Sequence, residues 1–128
     1  MPRYVVLEHE TPAGYARPRH WDLMLETGGA LRTWALDEPP ERVRSGQGEH
    51  SVQGELLRDH RLAYLDYEGP VSGGRGTVRR WDAGECEWLA ESDGEIQFAL
   101  VGDRVGSVSV RAQRCADDQR WLFTFAPV

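Results

Sequence analysis

The sequence predicts an all-β domain, a closed antiparallel β-barrel of about eight short strands with one or two short helical turns. Short segments rich in β-branched and aromatic residues recur along the 128-residue chain, separated by turn-forming Gly, Asp and Pro residues. No segment sustains the 3.6-residue apolar period of an amphipathic helix. A barrel is favoured over a sandwich because closing the sheet leaves no free edge strands.

The strand-like segments follow one another at short intervals. They cover residues 4–8, 20–26, 30–36, 51–57, 77–81, 86–90, 95–101, 105–112 and 120–125. The turns between the later strands fall at residues 92–94, 102–103 and 116–118. The clearest hairpin joins the second and third segments through Thr27-Gly28-Gly29.

The remaining segments are predicted to be loops. Residues 10–19 are rich in Pro and Gly and are able to cover a site, and residues 37–48 have the composition of an exposed loop. Residues 59–64 form either a helical turn, with Asp59 as its N-cap, or an irregular bend. The glycines of residues 73–76 lack the spacing of a phosphate-binding P-loop and indicate a hairpin turn.

Length and composition indicate one domain over residues 1–128 in a reducing compartment. No apolar run is long enough to span a membrane, so a cytoplasmic protein is expected. The two cysteines, Cys86 and Cys115, lack metal-site spacing and are expected to be reduced thiols. The acidic residues between Asp82 and Glu95 are expected to form a solvated surface. A net charge of −6 argues against indiscriminate binding of polyanions, although a local basic site remains possible.

The second predicted strand, HWDLMLE, carries the residues with the clearest chemistry. Side chains alternate along a strand, so His20, Asp22, Met24 and Glu26 share one face while the other face is apolar and suits the core. An imidazole and a carboxylate about 7 Å apart on one face can converge on one divalent ion. This pair needs further ligands from elsewhere, for which His9 and His60 are the candidates.

Four runs of sequence carry a resemblance to a known family. They are Tyr4–His9, His20–Glu26, Thr33–Leu36 and Asp59–Gly69. In their order, residue identities and approximate spacing, these runs resemble the 3′-phosphoesterase domain of bacterial DNA ligase D. Weaker similarity continues to residue 122. No polymerase or ligase segment is attached, so we expect a stand-alone, single-domain member of that family.

The resemblance implies a β-barrel enzyme that removes 3′-terminal phosphates and ribonucleotides from DNA primer strands during end repair. It places the metal ligands on His9, His20 and Asp22, with Mn²⁺ as the expected ion and Zn²⁺ or Co²⁺ as alternatives. It assigns a phosphate contact to His60 and a supporting catalytic role to Tyr64. The expected partners are the 3′ end of a DNA or RNA-containing strand and end-joining repair proteins, with no membrane. We expect the metal at one mouth of the barrel.

Three positions differ from the basic residues usual in the family: Met24, Glu38 and the region of Val52. Compensating phosphate contacts are assigned to three arginines, Arg17, Arg19 and Arg32. Two alternative functions therefore stay open. One is a catalytically weakened, metal-containing module that binds DNA ends. The other is a small-molecule phosphodiesterase of the same fold, which the acidic net charge would suit.

Overall fold

The computed structural model describes residues 1–40, 48–117 and 119–128. Parts of two predicted loops, residues 41–47 and residue 118, lie outside the described residues. The strands are β1 (Arg3–Glu10), β2 (His20–Thr27), β3 (Ala30–Leu36), β4 (His50–Leu56), β5 (Gly69–Pro70), β6 (Thr77–Ser92), β7 (Glu95–Gly102), β8 (Gly106–Arg114) and β9 (Arg120–Pro127). A 3-10 helix covers Leu62–Leu65. Within the described ranges, no helix has the length and apolar character needed to cross a membrane.

The strands form one antiparallel sheet that closes on itself. Its order is β1-β2-β3-β4-β9-β8-β7-β6, and β1 pairs with β6 as well as with β2. The two-residue strand β5 pairs with the first residues of β6, which β7 does not reach. The predicted all-β, eight-stranded antiparallel barrel is therefore confirmed.

Side-chain alternation gives the barrel wall an apolar inner face and a partly apolar outer face. Tyr4 and Val6 of β1 join a cluster to which all eight barrel strands contribute, which identifies that cluster as the barrel interior. Val5 and Leu7 point the other way, into a smaller cluster on the outside of the wall. The members of this outer cluster are Val5, Leu7, Met24, Leu31, Leu65, Val71 and Val78. The outer cluster attaches the segment containing the 3-10 helix to the barrel.

Strand β6 differs from the prediction, because the two short strands expected over residues 77–81 and 86–90 are one strand of 16 residues. Its first half pairs with β1 and its second half with β7. Register shifts at Trp81 and Leu89 bend the strand, as β-bulges do. Gly84 lies between the two segments and allows close approach to β7, since a Cβ there would lie 2.0 Å from the Val101 carbonyl oxygen.

Asp82 corrects the prediction that the acidic residues of β6 are all solvated. It is 2% exposed and accepts a 2.6 Å hydrogen bond from the Tyr4 hydroxyl. The backbone N–H groups of Arg104 and Val105 also donate to it, at 2.7 and 3.3 Å. Burial, together with the adjacent Asp82 carboxylate, raises the pKa of Tyr4 well above its usual range. Asp82 therefore fixes the β7–β8 turn to the barrel interior.

Replacing Asp82 by alanine is expected to lower the free energy of unfolding by about 2–3 kcal/mol, because three buried or half-buried donors lose a charged acceptor. Urea unfolding followed by circular dichroism measures the change. The matched control is Glu87→Ala, on an exposed position of the same strand, where a change within about 0.5 kcal/mol is expected. Equal losses in the two variants would contradict the anchoring role.

The two cysteines are both free in the described structure, as predicted. Cys86 lies in the barrel interior, where burial raises the pKa of its thiol to about 11. It is therefore a protonated, structural thiol at neutral pH.

Candidate metal centre

Strand pairing brings the three predicted metal ligands together. His9 near the end of β1 lies opposite His20 in the register, and Asp22 follows two residues later on β2. The two imidazole centroids are 4.6 Å apart. One ligand atom from each of the three residues lies within 4.8 Å of the others. All three side chains share the outward face of the wall with the outer cluster, so the group lies on the barrel wall and not at the expected mouth.

The hydrogen bonds of the two histidines decide which nitrogen faces the carboxylate. Nδ1 of His20 lies 2.9 Å from the Pro18 carbonyl oxygen, and Nε2 of His9 lies 2.7 Å from the Arg75 carbonyl oxygen. A carbonyl only accepts, so each imidazole donates its N–H there. The other nitrogen of each ring faces Asp22, Nε2 of His20 at 3.1 Å and Nδ1 of His9 at 3.3 Å. In a neutral ring this nitrogen presents a lone pair, and in an imidazolium it donates to the carboxylate.

The burial and hydrogen bonding of the Asp22 carboxylate indicate whether a cation fits among the three side chains. Its side chain is 4% exposed, and its Oδ1 atom has no hydrogen-bond partner within the described structure. Lone pairs and carboxylate oxygens that face each other in a buried site need a positive charge between them. Two nitrogen ligands and one oxygen ligand suit a first-row divalent ion. The group therefore fits a divalent metal, and the identity of the ion stays a prediction.

The same contacts shift the pKa values of Asp22 and His9. Burial alone would raise the pKa of Asp22, but the adjacent His20 and His9 imidazoles outweigh it and hold that pKa below its usual value. Burial alone would lower the pKa of His9, but hydrogen bonds to Asp22 and to the Arg75 carbonyl raise it overall. Asp22 is therefore ionised at neutral pH, as a metal ligand must be.

Backbone carbonyls orient both imidazoles, a feature that residue types alone do not indicate. The loop over residues 71–76 is held by the Val71 N–H, which donates to the Gly76 carbonyl at 2.8 Å. The Arg75 guanidinium donates to the Ser72 carbonyl at 2.7 Å. Gly76 has φ +94°, and a Cβ on it would lie 1.9 Å from the Glu10 carbonyl oxygen. The loop is thus closed against β1, where it presents the Arg75 carbonyl to His9.

Gly76→Ala is expected to weaken Mn²⁺ binding by about tenfold or more, because the loop must move and take the Arg75 carbonyl from His9. Gly74→Ala is the matched control, since Gly74 has a similar φ of +68° but no atom within 4 Å of the position that an added methyl would occupy. Calorimetric titration with Mn²⁺ measures both variants. A similar loss in Gly74→Ala would show that backbone strain alone, and not His9 orientation, sets the affinity.

The three candidate metal ligands line a cleft of about 540 Å³ that is more basic than the chain as a whole. Its four arginines are Arg17, Arg58, Arg61 and Arg75. Its acidic residues are Asp22 and Asp59. Against a net charge of −6 for the chain, this excess of cations makes the cleft a local site for an anion.

His60 and Tyr64 line the same cleft, as the sequence led us to expect. Backbone hydrogen bonds of 2.8 and 2.9 Å between His60 and Leu31 fasten the residue to the start of β3. Its Nδ1 lies 2.9 Å from the Arg58 carbonyl oxygen, to which it donates, so Nε2 is left for a ligand. Tyr64 meets the imidazole edge to face, with ring centroids 5.6 Å apart.

The helical turn near His60 differs from its prediction in one respect. The 3-10 helix begins at Leu62 after Arg61, which makes no side-chain capping hydrogen bond, so Asp59 is not the N-cap. His60 lies before the helix, and its backbone bridge to Leu31 of β3 fixes its position.

Two of the three arginines assigned to the phosphate, Arg19 and Arg32, do not line the cleft. Arg17 does line the cleft, where it forms a 3.0 Å ion pair with Glu55. Arg19 lies outside the cleft and pairs with Glu8 and, at 3.2 Å, with Glu10. These acids offset its charge, and its assignment to the phosphate stays a prediction.

Arg32 does not line the cleft, and its assignment to the phosphate also stays a prediction. It pairs with Glu91 at 3.2 Å, and its guanidinium lies 5.4 and 5.2 Å from the ring centroids of Trp34 and Trp88. The cleft cations that the sequence interpretation missed are Arg58, Arg61 and Arg75. Arg61 adjoins His60 directly in the chain and Arg58 precedes it by two residues, and that proximity was the available signal.

The three positions that depart from the family pattern have different surroundings. Met24 is 1% exposed and forms part of the cleft floor beside Asp22. Val52 lies in the barrel interior and has no access to the cleft. Glu38 is exposed, 3.9 Å from the imidazole of His50. Only Met24 therefore changes the chemistry of the cleft itself.

The fold and the site together define a small closed β-barrel with a group of two imidazoles and a carboxylate that could hold a metal, set in a cationic cleft. The family model of the DNA Ligase D 3′-phosphoesterase domain matches residues 8–110. The chain belongs to this family.

Similar proteins of larger size carry the same domain. A Multifunctional non-homologous end joining protein LigD from Pseudomonas aeruginosa is 33% identical over 113 residues, which are 80% of this chain and 12% of that protein. The protein of the same name from Mycobacterium bovis is 29% identical over 126 residues, 93% of this chain and 15% of that protein. The Multifunctional non-homologous end joining DNA repair protein LigD of Mycobacterium tuberculosis matches to the same extent. The chain thus spans a small part of each relative.

Proposed function

We propose that this chain is a metal-dependent phosphoesterase that removes 3′-terminal phosphates or ribonucleotides from nucleic-acid ends in DNA repair. The observation that supports the proposal is the buried Asp22 carboxylate. Its unpartnered Oδ1 faces Nε2 of His20 and its Oδ2 faces Nδ1 of His9, inside a cleft lined by arginines and within the described residues. Membership of the 3′-phosphoesterase family and relatives named for end joining support the same function.

His9, His20 and Asp22 are the residues that would hold the metal. When bound there, a divalent ion supplies a Lewis acid for a phosphoryl oxygen and lowers the pKa of a water molecule. We propose Mn²⁺, with Zn²⁺ and Co²⁺ as alternatives that fit the same mixed nitrogen and oxygen ligands. Metal analysis of protein purified without chelating resin would identify the ion.

The protein's own groups bind the phosphate and handle the proton. Arg58 and Arg61 lie in the exposed part of the cleft, and neither forms an ion pair within the described residues. Their guanidinium groups are suited to bind phosphate oxygens in pairs. Because Nδ1 of His60 is committed to the Arg58 carbonyl, Nε2 carries a proton only in the imidazolium, and that form donates to the leaving oxygen. The edge contact with Tyr64 holds the ring in this orientation.

The apolar floor of the cleft limits the water around the reacting phosphate. Met24, Val71 and Val78 form this floor, and all three belong to the outer cluster. A phosphate above them contacts cations at its sides and apolar groups below. Electrostatic contacts are stronger where bulk water is excluded.

The proposal is tested with purified protein, Mn²⁺ and a primer that ends in a 3′-phosphate or a single 3′-ribonucleotide. We expect release of inorganic phosphate or nucleoside, and no release with EDTA or from the matching 5′-phosphate strand. Activity confined to small phosphodiesters would instead favour a small-molecule phosphodiesterase. Absence of release from every substrate would contradict catalysis.

Met24 supports a second candidate function, a metal-containing module that binds strand ends without turnover. Its thioether occupies the floor beside Asp22, where it supplies no charge to a phosphate. Retained binding of the 3′-phosphate primer without release of phosphate would favour the module. In either case the proposed partners are nucleic-acid ends and the proteins of end joining, with which the relatives are named.

A further inference from the structure

Aromatic side chains continue from the metal cleft onto the adjacent surface. The His60 and Tyr64 rings meet at 5.6 Å, and Tyr64 meets Tyr67 at 5.7 Å, each edge to face. Tyr64 packs against the outer cluster, but Tyr67 belongs to neither apolar cluster and is 36% exposed. Core packing therefore accounts for Tyr64 and does not account for Tyr67.

The exposed ring of Tyr67 is held in one orientation. Its hydroxyl donates a hydrogen bond to the Pro70 carbonyl. Gly69 packs closely beneath that hydroxyl, since its φ is +134° and a Cβ there would lie 3.2 Å from the oxygen. A ring that is fixed before a ligand arrives loses little conformational entropy on binding.

Beside this ring is a hollow of about 210 Å³. It is lined by Arg61, Ala63, Tyr64, Tyr67, Pro70 and Ser72. Arg61 and Tyr64 also line the metal cleft, so the hollow adjoins the cleft. Aromatic and proline surfaces with one guanidinium group suit a planar heteroaromatic ring attached to a phosphate.

We propose that this hollow is a nucleobase subsite of the strand end whose phosphate lies in the metal cleft. The base of one of the last three nucleotides stacks on Tyr67, and Arg61 contacts the phosphate between hollow and cleft. This inference rests on the proposed function, which supplies the nucleic-acid strand whose 3′ end enters the cleft. It adds a site that recognises the base surface and tolerates any sequence, because every base has a π-face.

Equilibrium binding of fluorescent single-stranded oligonucleotides to the metal-loaded protein tests the subsite. Each oligonucleotide ends in a non-hydrolysable 3′-phosphonate, and single abasic residues replace the last three nucleotides in turn. We expect one abasic position to weaken binding by about 5- to 100-fold, the range for loss of one stacked base. No effect at any of the three positions, or no binding of the intact strand, would overturn the proposal.

Tyr67→Ala is expected to remove this difference by weakening the intact strand to the level of the abasic strand. Tyr67→Phe keeps the ring and should retain the difference. Leu89→Ala, at another exposed apolar position, is the control and should bind as the unmodified protein does. Equal weakening of the intact and abasic strands by Tyr67→Ala would show a structural role or a protein-binding surface and overturn the subsite.

Phosphate release, measured separately, keeps the two proposals distinguishable. An inactive protein that still distinguishes intact from abasic strands would contradict the proposed catalysis and support the subsite. An active protein without that distinction would do the reverse.

Discussion

Replacing Asp22 by asparagine is expected to weaken Mn²⁺ binding by at least about 100-fold, the largest effect on affinity that we expect from any single substitution. Asparagine keeps the shape of the side chain but removes the charge that faces both imidazoles. Ligands of a metal are worth more than the groups that orient them, whose loss costs about 10- to 100-fold. Calorimetric titration of the metal-free protein with Mn²⁺ measures the change.

Asp59→Asn is the matched control for this substitution, because Asp59 is the other carboxylate of the cleft and lies outside the ligand group. Its Mn²⁺ affinity should stay within about twofold of that of the unmodified protein. Thermal unfolding checks that both variants are folded. Unchanged affinity in Asp22→Asn, or an equal loss in Asp59→Asn, would show that the metal lies elsewhere or is held only by the field of the cleft.

The strands that were predicted well are those with β-forming residues between clear turn signals. Strands β2 and β3 alternate in contacts and are joined by a tight glycine turn, and their register continues to the pair Thr27 and Ala30. Strand β6 was divided in the prediction into segments 77–81 and 86–90, on either side of Asp82 and Gly84. In the structure Asp82 is buried and accepts hydrogen bonds from residues distant along the chain, and Gly84 permits close contact with β7. Local composition contains neither fact.

The outer cluster was the main feature that alternation alone did not reveal. The notion of one core and one solvated face placed Met24 on a polar side, but this side chain is 1% exposed. A short segment around Leu65 covers that face of the wall, and its docking depends on contacts between residues far apart in the sequence. The candidate ligand group lies on the same face of the wall as the outer cluster, where His20 and Asp22 are buried.

The candidate site was predictable where side chains carry the chemistry and unpredictable where the backbone does. Residue type and strand spacing indicated His20 and Asp22 and left His9 and His60 as candidates for a further ligand, and the family resemblance selected His9. The carbonyls of Pro18 and Arg75, which set the direction of each imidazole, carry no residue-specific signal. The surroundings of Arg19 and Arg32 were unpredictable for a related reason, because both are paired with acids that only the folded structure brings close.

His60→Ala is expected to lower the rate of 3′-phosphate release by about 100- to 10,000-fold, the range for a lost proton donor. Mn²⁺ affinity should be unchanged, because His60 is not one of the three grouped ligands. Its backbone hydrogen bonds to Leu31 do not depend on the side chain, so the fold should be kept. Single-turnover kinetics with a 3′-phosphate primer, together with calorimetric Mn²⁺ titration, separate catalysis from metal binding.

Tyr64→Phe is the companion substitution, since it keeps the ring that contacts His60 and removes only a hydroxyl. A smaller loss than in His60→Ala is expected if the ring's edge contact, and not its hydroxyl, is what orients the imidazole. The two measurements on His60→Ala should diverge from those on Asp22→Asn, with turnover lost but affinity kept. If His60→Ala instead lost Mn²⁺ affinity as severely as Asp22→Asn, His60 would be a metal ligand, and the proton transfer assigned to its Nε2 would need another donor in the cleft.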